Sequence, residues 1–220
     1  MEQIERFEGP RAQHYETGIR TWFPAYDAML SLLEPTLSSQ VAPSAQTQVL
    51  CVGSGTGTEL KLLAEAHPDW HITGVDPSPL MNQQAHEKTA ELSNVSILEG
   101  TIDDVSGMFD AVTVLLVTHF FPLPVKRQLF QQIYDRLKPG GILMAADMTR
   151  EQPDTGLEAF KQYQRPLLSD ESFTSGFEHI AQNLHRISNA EHLKLWTDIG
   201  FTTVESVFQW LIFKAWLIKK

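Results

Sequence analysis

The sequence predicts an α/β fold in which helices cover both faces of a doubly wound, mostly parallel sheet. Strand-like apolar runs alternate with segments of helical spacing, and these runs fall at residues 49–52, 71–75, 95–98, 109–117 and 142–146. The fourth run is continuously apolar and rich in valine, which is typical of a strand buried on both faces. Regular strand–helix alternation implies right-handed crossovers between parallel strands.

The helices between these strands follow from their apolar spacing. Residues 58–66 follow a glycine-rich segment, and residues 79–92 begin with a proline suited to a first helical turn. Residues 125–137 carry apolar side chains on one side. We expect that helix to end at the turn Lys138-Pro139-Gly140-Gly141, ahead of the fifth strand.

The flanking segments lack this alternation. An apolar stripe near the N-terminus predicts helices with a break near Phe23, because Pro24 follows it. Two β-rich stretches after Gly200 are too close for a crossover helix, so we expect an antiparallel hairpin on the sheet edge. A seven-stranded sheet in a single domain, 1–220, is therefore expected, with a helical cap (1–45), a core (46–149), a helical lid (150–190) and a last helix with the hairpin (191–220).

Composition restricts the function. The 220 residues carry 17 Lys+Arg against 27 Asp+Glu, a net charge of −10, which argues against a general nucleic-acid binder. The lone Cys51 excludes an intramolecular disulfide framework and a cysteine-only zinc site. No apolar run reaches the roughly 20 residues of a membrane helix. We expect a cytoplasmic protein, monomeric or homodimeric, that acts on a small molecule without nucleic acid or membrane.

The strongest chemical signal is VLCVGSGTGTE, where a strand leads into Gly53, Gly55 and Gly57. Glycines let the backbone approach a ligand without a Cβ clash, and the next helix offers amide donors. A plain tight turn is the alternative. Asp76 follows about 20 residues later, where a carboxylate accepts both ribose hydroxyls of an adenosine group. Alternatively, Asp76 caps the following helix.

The form of the loop favours a sulfonium nucleoside. A dinucleotide pattern requires Gly or Ala where Thr58 stands, and a phosphate loop requires a lysine placed differently from Lys61. An acidic chain without a basic cluster here suits a cationic ligand better than a pyrophosphate.

Residues 45–147 resemble the class I S-adenosylmethionine (SAM)-dependent methyltransferases, which have a Rossmann-like fold. The resemblance rests on VLCVGSGTG, GVDPSPLM, ILEGTIDDV, FDAVTVLLVTHFF and LKPGGILMAAD, in this order. Outside this core, HYETGIRTWFPAYDAML and GFTTVESVFQWLIFKAW are similar to the subgroup that includes carboxy-SAM synthase, an enzyme of tRNA wobble-uridine modification. The resemblance implies methyl transfer from SAM, with S-adenosylhomocysteine (SAH) as product, to an unidentified acceptor. A non-catalytic SAM-binding module is the alternative from another class.

The resemblance also implies cofactor contacts. It places the glycine loop at the methionine part of SAM, Asp76 and Pro77 at the ribose and adenine edge, and Thr101 and Ile102 near the adenine amino group. An acidic residue usual at the Thr101 position is missing. The implied cofactor-binding residues are Tyr26, Gly53, Ser54, Gly55, Thr56, Gly57, Asp76, Pro77, Met81, Thr101, Ile102 and Leu116.

Two positions depart from the subgroup. Leu195 stands where carboxy-SAM synthase has an arginine that pairs with the extra carboxylate, and Leu116 stands where it has an asparagine. A carboxylate left unpaired in a desolvated site is costly. We therefore expect ordinary SAM and ordinary methyl transfer, with carboxy-SAM synthesis as the alternative, which the adjacent Lys194 favours slightly.

His119 is the candidate general base, because it follows the fourth strand at the crevice where such sheets bind ligands. Alternatively, it is a hydrogen-bonded histidine between aromatic neighbours. The other histidines show no paired-ligand pattern, so we expect no metal site. His185 and His192 are expected at the surface, and Arg186 on a solvated face of the lid.

Overall fold

A computed structural model describes residues 9–41 and 46–220, and the predictions for residues 1–8 and 42–45 lie outside that part of the chain. The strands are β1 (Gln48–Val52), β2 (His71–Asp76), β3 (Val95–Glu99), β4 (Phe109–Leu115), β5 (Leu137–Met148), β6 (Thr203–Trp210) and β7 (Phe213–Lys219). The helices are α1 (Pro10–Gln13), α2 (Tyr15–Trp22), α3 (Tyr26–Ser31), α4 (Leu33–Ser38), α5 (Thr58–Ala66), α6 (Pro79–Lys88), α7 (Leu123–Arg136), α8 (Thr155–Gln164), α9 (Asp170–Gln182) and α10 (Asn189–Ile199).

One sheet contains all seven strands, in the order β3-β2-β1-β4-β5-β7-β6. The first five strands pair in parallel, whereas β7 pairs antiparallel with both β5 and β6. The predicted seven-stranded, mostly parallel sheet with an antiparallel C-terminal hairpin is confirmed. The predicted break in the cap is confirmed as well, since α2 ends at Trp22 and α3 begins at Tyr26.

Helices cover both faces of the sheet because strand side chains alternate between the two faces. Val49 and Cys51 belong to one buried cluster, to which α3, α4, α5, α8 and α9 contribute. Leu50 and Val52 belong to the other, to which α7 and α10 contribute. β1 is thus apolar on both faces, as is typical of a central parallel strand.

The start of β5 differs from the prediction. The expectation that residues 138–141 form a turn between helix and strand is wrong, because β5 begins at Leu137 directly after α7. Leu137 pairs with Phe109, and the register then shifts before Ile142 pairs with Ala111. An irregularity of this kind accommodates extra residues within a paired strand. Gly140, at φ +75°, supplies the left-handed backbone there.

Within residues 9–41 and 46–220, no helix is both long and apolar enough to cross a membrane.

Candidate active site

A cavity of about 650 Å³ lies at the carboxyl ends of the parallel strands. Its floor includes Gly53 after β1, Asp76 at the end of β2 and Leu116 after β4. The chain order of the strands reverses between β1 and β4, and open α/β sheets bind ligands at such a switch point. Helices α2 and α9 close the cavity from above, through Trp22 and Ile180.

The glycine loop has the conformation that its sequence predicts. Gly53, Gly55 and Gly57 have φ of +69°, +51° and +78°, a region that favours glycine. A Cβ on Gly53 would lie 2.5 Å from a methyl group of Val117, and one on Gly57 would lie 2.9 Å from Cα of Ala85. Gly53 and Gly55 line the cavity, whereas Gly57 packs against α6.

Asp76 orders the loop and also faces the cavity. Its Oδ2 atom accepts a hydrogen bond from the Gly55 amide at 3.0 Å, and its Oδ1 accepts from the Ser78 amide at 2.9 Å. Burial raises the pKa of Asp76, and these two hydrogen bonds oppose that rise. The side chain that caps α6 is Ser78, which accepts from the Met81 amide. Each Asp76 oxygen keeps further acceptor capacity toward the cavity.

The structure brings eight of the twelve predicted cofactor-binding residues to the cavity wall. They are Gly53, Gly55, Asp76, Pro77, Met81, Thr101, Ile102 and Leu116. Thr101 begins a short 3-10 turn, and its amide donates to Asp104 at 2.9 Å. Leu116 adopts φ +59°, which is uncommon for a residue with a Cβ. Such strain often occurs at functional sites.

The other four predicted residues lie away from the cavity wall. Tyr26 is buried against Phe23, with ring centroids 6.2 Å apart. Ser54 points its hydroxyl toward Gly74, where a Cβ would lie 2.8 Å from it. Thr56 donates to Glu16 at 2.8 Å, and Gly57 contacts α6 as described above.

A polar cluster fastens α2 to the glycine loop. The Lys88 ammonium bonds to the Glu16 carboxylate and to the hydroxyls of Thr56 and Thr58, at 3.1 and 2.8 Å. Burial opposes ionisation of Glu16, but the hydrogen bonds from Lys88 and the two threonines hold its pKa below the usual value. Sequence reasoning missed this cluster, because no local pattern relates Glu16 to Lys88.

The cap and the lid also contact each other directly. The buried amide of Gln164, in α8, donates to the backbone oxygens of Thr21 and Trp22 at 3.0 and 3.1 Å. Gly176, in α9, leaves room for the Trp22 indole, which a Cβ at that position would overlap. Trp22 also packs edge-on against Phe177, 5.6 Å away.

His119 forms a buried hydrogen-bonded pair with Asp147. Its Nδ1 atom lies 2.6 Å from Oδ1 of Asp147, and its backbone amide donates to the same oxygen at 3.0 Å. The Thr118 hydroxyl also bonds to Asp147. The Lys126 ammonium lies 3.3 Å and His192 Nε2 3.4 Å from its other oxygen.

The groups around Asp147 keep its carboxyl group ionised. Burial opposes ionisation of Asp147, but the Lys126 ammonium and the two histidines outweigh it and hold its pKa well below the usual range. Asp147 is therefore a carboxylate, and the hydrogen bond assigns the proton of His119 to Nδ1. Nε2 is left as an acceptor with no hydrogen-bond partner among the described residues, and His119 lines the cavity.

Two predictions about polar residues are wrong. His192 is fully buried in the Asp147 cluster instead of exposed. Arg186 is also buried, because it pairs with Asp154 at 3.0 Å and donates to the Thr149 carbonyl. No motif in the sequence singles out Asp147 or Lys126 as part of the site. The position of Asp147 near the carboxyl end of β5 was the available signal.

Cations are absent from the described part of the cavity wall. Leu195 is buried beside Trp196 and lies outside the cavity. Lys194 pairs with Asp198 at 2.9 Å on the surface of α10. No Lys or Arg side chain is found among the described lining residues. The same part of the chain contains no group of three or more His, Cys, Asp or Glu placed to hold a metal ion.

Comparison with known proteins identifies the class of enzyme. A family model described as a methyltransferase domain matches residues 49–141. The magnesium protoporphyrin IX methyltransferase of Synechocystis PCC 6803, solved with bound SAH, has the same fold, with a TM-score of 0.68 at 15% identity over 91% of this chain and 86% of that one. Together with a carboxy-S-adenosyl-L-methionine synthase that is 31% identical over 98% of this chain, these findings show that the chain belongs to the class I SAM-dependent methyltransferases.

Its relatives within that class include carboxy-SAM synthases. The carboxy-S-adenosyl-L-methionine synthase of Dichelobacter nodosus is 31% identical over 231 residues, covering 98% of this chain and 92% of the relative. That of Campylobacter fetus is 28% identical over 207 residues, covering 90% and 86%.

Proposed function

We propose that the enzyme transfers the methyl group of ordinary SAM to a neutral small molecule that binds beside His119. The composition of the cavity wall is the observation that carries this proposal. Among its described residues none is Lys or Arg, and Asp76 is the only Asp or Glu. A charged acceptor would lose its hydration there without gaining a partner.

The wall fits SAM at the end where the predicted residues meet. Asp76 would accept the ribose hydroxyls, and Pro77, Met81 and Ile102 would flank the adenine. Thr101 and Leu116 border the same region. Gly53 and Gly55 leave space for the methionine part because they have no Cβ. When bound, SAM supplies a methyl carbon activated by the positive charge of its sulfur.

We propose an indirect role for the predicted residues outside the wall. Tyr26, Ser54, Thr56 and Gly57 support the shape of the cap and the loop, through the contacts described above, and so hold the cofactor-facing residues in place. Nε2 of His119, the ring nitrogen that does not contact Asp147, would receive the acceptor's proton as the new bond forms. The rest of the catalysis is positioning and exclusion of water.

Cofactor binding tests this assignment. We expect calorimetry to show SAM and SAH binding to the full chain, and Asp76→Asn to weaken both about tenfold or more, because a charge-assisted hydrogen bond pattern is lost. Asp135→Asn, on the exposed side of α7, is the matched control and should leave both affinities unchanged. Equal affinities of the native chain and Asp76→Asn for SAM and SAH would contradict the proposed contact between Asp76 and the ribose.

Carboxy-SAM synthesis is the second candidate, and the extent of similarity to the Dichelobacter nodosus enzyme favours it. That activity places a carboxylate on the transferred carbon. The described cavity wall offers no guanidinium or ammonium to pair with it. Mass spectrometry of the ligand that co-purifies with the chain distinguishes the candidates: SAM or SAH supports methyl transfer, and a carboxylated species supports synthesis.

We also propose that residues 1–220 act as a single methyltransferase domain, as a monomer or homodimer in the cytoplasm, without a nucleic-acid substrate. The single sheet supports the first statement. The net charge of −10 supports the last. Size-exclusion chromatography with light scattering, together with an RNA-binding titration, tests the assembly and the substrate class.

A further inference from the structure

The cavity wall includes residues beyond those assigned to SAM. We call this part of the cavity the acceptor chamber and define it by His119, Trp22, Phe120, Phe160, Ile180 and Phe213, all of which line the cavity. These residues come from the cap, the loop after β4, the lid and β7. The chamber therefore requires segments that lie far apart in the sequence.

Aromatic rings form much of the chamber wall. Phe160 packs edge-on against Trp22 and Phe213, with centroids 6.2 and 5.6 Å apart. Phe120 lies 4.4 Å from the His119 ring. Rings in such arrangements bind a flat apolar guest through its faces and edges. The other titratable groups on the described cavity wall are His14, Tyr15 and His179, besides Asp76 in the cofactor region.

We propose that the acceptor is a phenol, an uncharged aromatic molecule whose hydroxyl donates a hydrogen bond to Nε2 of His119 inside the acceptor chamber. This inference rests on the proposed function and specifies its substrate class. The aromatic wall selects the ring, the absence of Lys and Arg from the described wall disfavours an anion, and the free acceptor nitrogen selects a hydroxyl.

The chemistry of the base favours a phenol over other acceptors. A phenol titrates near 10 and an imidazole near 6.5, so a positioned imidazole can take the phenolic proton as the bond forms. Hydroxyl groups with a pKa close to that of water, about 16, are poorly matched to an imidazole base. A carboxylate acceptor needs no base, and it would bind best beside a cationic side chain, which the described wall does not offer.

The reaction is then balanced. The phenolic oxygen forms a bond to the methyl carbon, while the electron pair of the carbon–sulfur bond remains on sulfur. The O–H proton passes to Nε2 of His119, and the products are an aryl methyl ether and SAH. The carboxylate of Asp147 stabilises the imidazolium that results, because it lies 2.6 Å from Nδ1.

Binding to the SAH-loaded full chain tests the proposal without turnover. The probes form two matched series, phenol with toluene and benzoate, and 2-naphthol with naphthalene and 2-naphthoate. In at least one series we expect the phenol to bind about tenfold more tightly than both partners, the value of one well-made hydrogen bond. With SAM in place of SAH, mass spectrometry should detect the methyl ether of that phenol.

Two variants separate the hydroxyl contact from the chamber. His119→Leu, which has no acceptor atom in its side chain, should weaken binding of the phenol about tenfold while toluene, naphthalene and SAH bind as before. Trp22→Ala should weaken the phenol and its apolar partner equally. The inference is overturned if the carboxylates bind as tightly as the phenols, or if His119→Leu leaves phenol affinity unchanged. Failure of SAH itself to bind would overturn the proposed function, whereas SAH binding without phenol binding overturns only this inference.

Discussion

The imidazole of His119 and the carboxylate of Asp147 lie 2.6 Å apart and are both buried at the end of β4 and β5. The pair is embedded in further donors, since Lys126 and His192 reach the same carboxylate. A buried carboxylate with these partners stays ionised, so it holds the histidine in one tautomer and one orientation. The other ring nitrogen, Nε2, belongs to a side chain that lines the cavity.

Asp147→Asn is expected to impair the chemical step. An amide cannot fix the tautomer as a carboxylate does, so kcat should fall about 100-fold or more while KM for the acceptor changes only a few-fold. Steady-state kinetics with a phenol of the series above measures both. The pH dependence of kcat should change as well, which a merely structural role would not produce.

The matched control is Asp198→Asn, which removes a surface carboxylate paired with Lys194 and Arg127. It should leave kcat, KM and the pH profile unchanged. If Asp147→Asn behaves like this control, Asp147 does not position the base.

Glu59 makes the stability of the protein depend on pH. It is buried in the first turn of α5, where it accepts a hydrogen bond from Thr113 at 3.0 Å. Burial raises its pKa to about 8, and the bond from Thr113 opposes this. The native state therefore keeps a proton that the unfolded state loses above its ordinary pKa near 4.5. Stability must then fall as pH rises between these values.

Glu59→Gln should remove this dependence because glutamine is neutral at every pH. We expect the free energy of unfolding of the variant, relative to the native chain, to rise by up to about 5 kcal/mol between pH 4.5 and 8, since each tenfold change in proton affinity is worth about 1.4 kcal/mol. Urea unfolding across this range measures it. Glu65 is exposed on the same helix, so Glu65→Gln should show the same pH dependence of the free energy of unfolding as the native chain. The prediction is contradicted if Glu59→Gln shows that same pH dependence.

Lys88→Met should loosen the cap from the glycine loop. The variant keeps the length of the side chain but loses the bonds to Glu16, Thr56 and Thr58. We expect faster hydrogen exchange in α2 and a several-fold weaker affinity for SAH, because ordering the cap then costs part of the binding energy. Hydrogen-exchange mass spectrometry and calorimetry report the two effects.

Lys61→Met serves as the control, since Lys61 lies on the surface of α5 and pairs there with the exposed Glu65 at 3.7 Å. Its exchange and affinity should match those of the native chain. Unchanged exchange in α2 of Lys88→Met would show that the cluster does not hold the cap.

Gly57→Ala and Gly107→Ala separate backbone strain from crowding. Both glycines have positive φ, +78° and +97°. A Cβ at Gly57 meets Ala85 at 2.9 Å, whereas one at Gly107 meets nothing within 4 Å. We expect Gly107→Ala to cost about 1 kcal/mol and Gly57→Ala about 3 kcal/mol in denaturant unfolding. Equal losses of stability in the two variants would mean that α6 shifts enough to accommodate the new methyl group at position 57.

Local patterns account for what the sequence predicts correctly. The glycine loop, the break at Pro24 and the antiparallel hairpin each depend on a few neighbouring residues. Asp76 was found because parallel strands bring their carboxyl ends to one edge. The start of β5 was missed because Lys138–Gly141 has the composition of a turn, and only pairing with β4 extends the strand through it.

Residues that meet across long separations could not be predicted in the same way. Lys126 and His192 lie in helical segments, where such polar side chains usually face solvent, yet both reach Asp147 in the interior. Glu16 and Lys88 are 72 positions apart. Their contacts depend on how helices dock on the sheet, which hydrophobic spacing does not specify at the level of single polar side chains. The role of Tyr26 at the cofactor stays a prediction of the resemblance, and the fold places this side chain beside Phe23.

The space beside Gly176, which the Trp22 indole fills, has a consequence for entry into the acceptor chamber. Trp22 is inserted into α9 there, while Gln164 holds the end of α2 from α8. Neither the cap nor the lid can swing away alone without withdrawing the indole or breaking these bonds. The two elements are therefore coupled, and a molecule too large for the present opening can enter only if cap and lid move away from the sheet together, which also breaks the Lys88 contacts between the cap and the glycine loop.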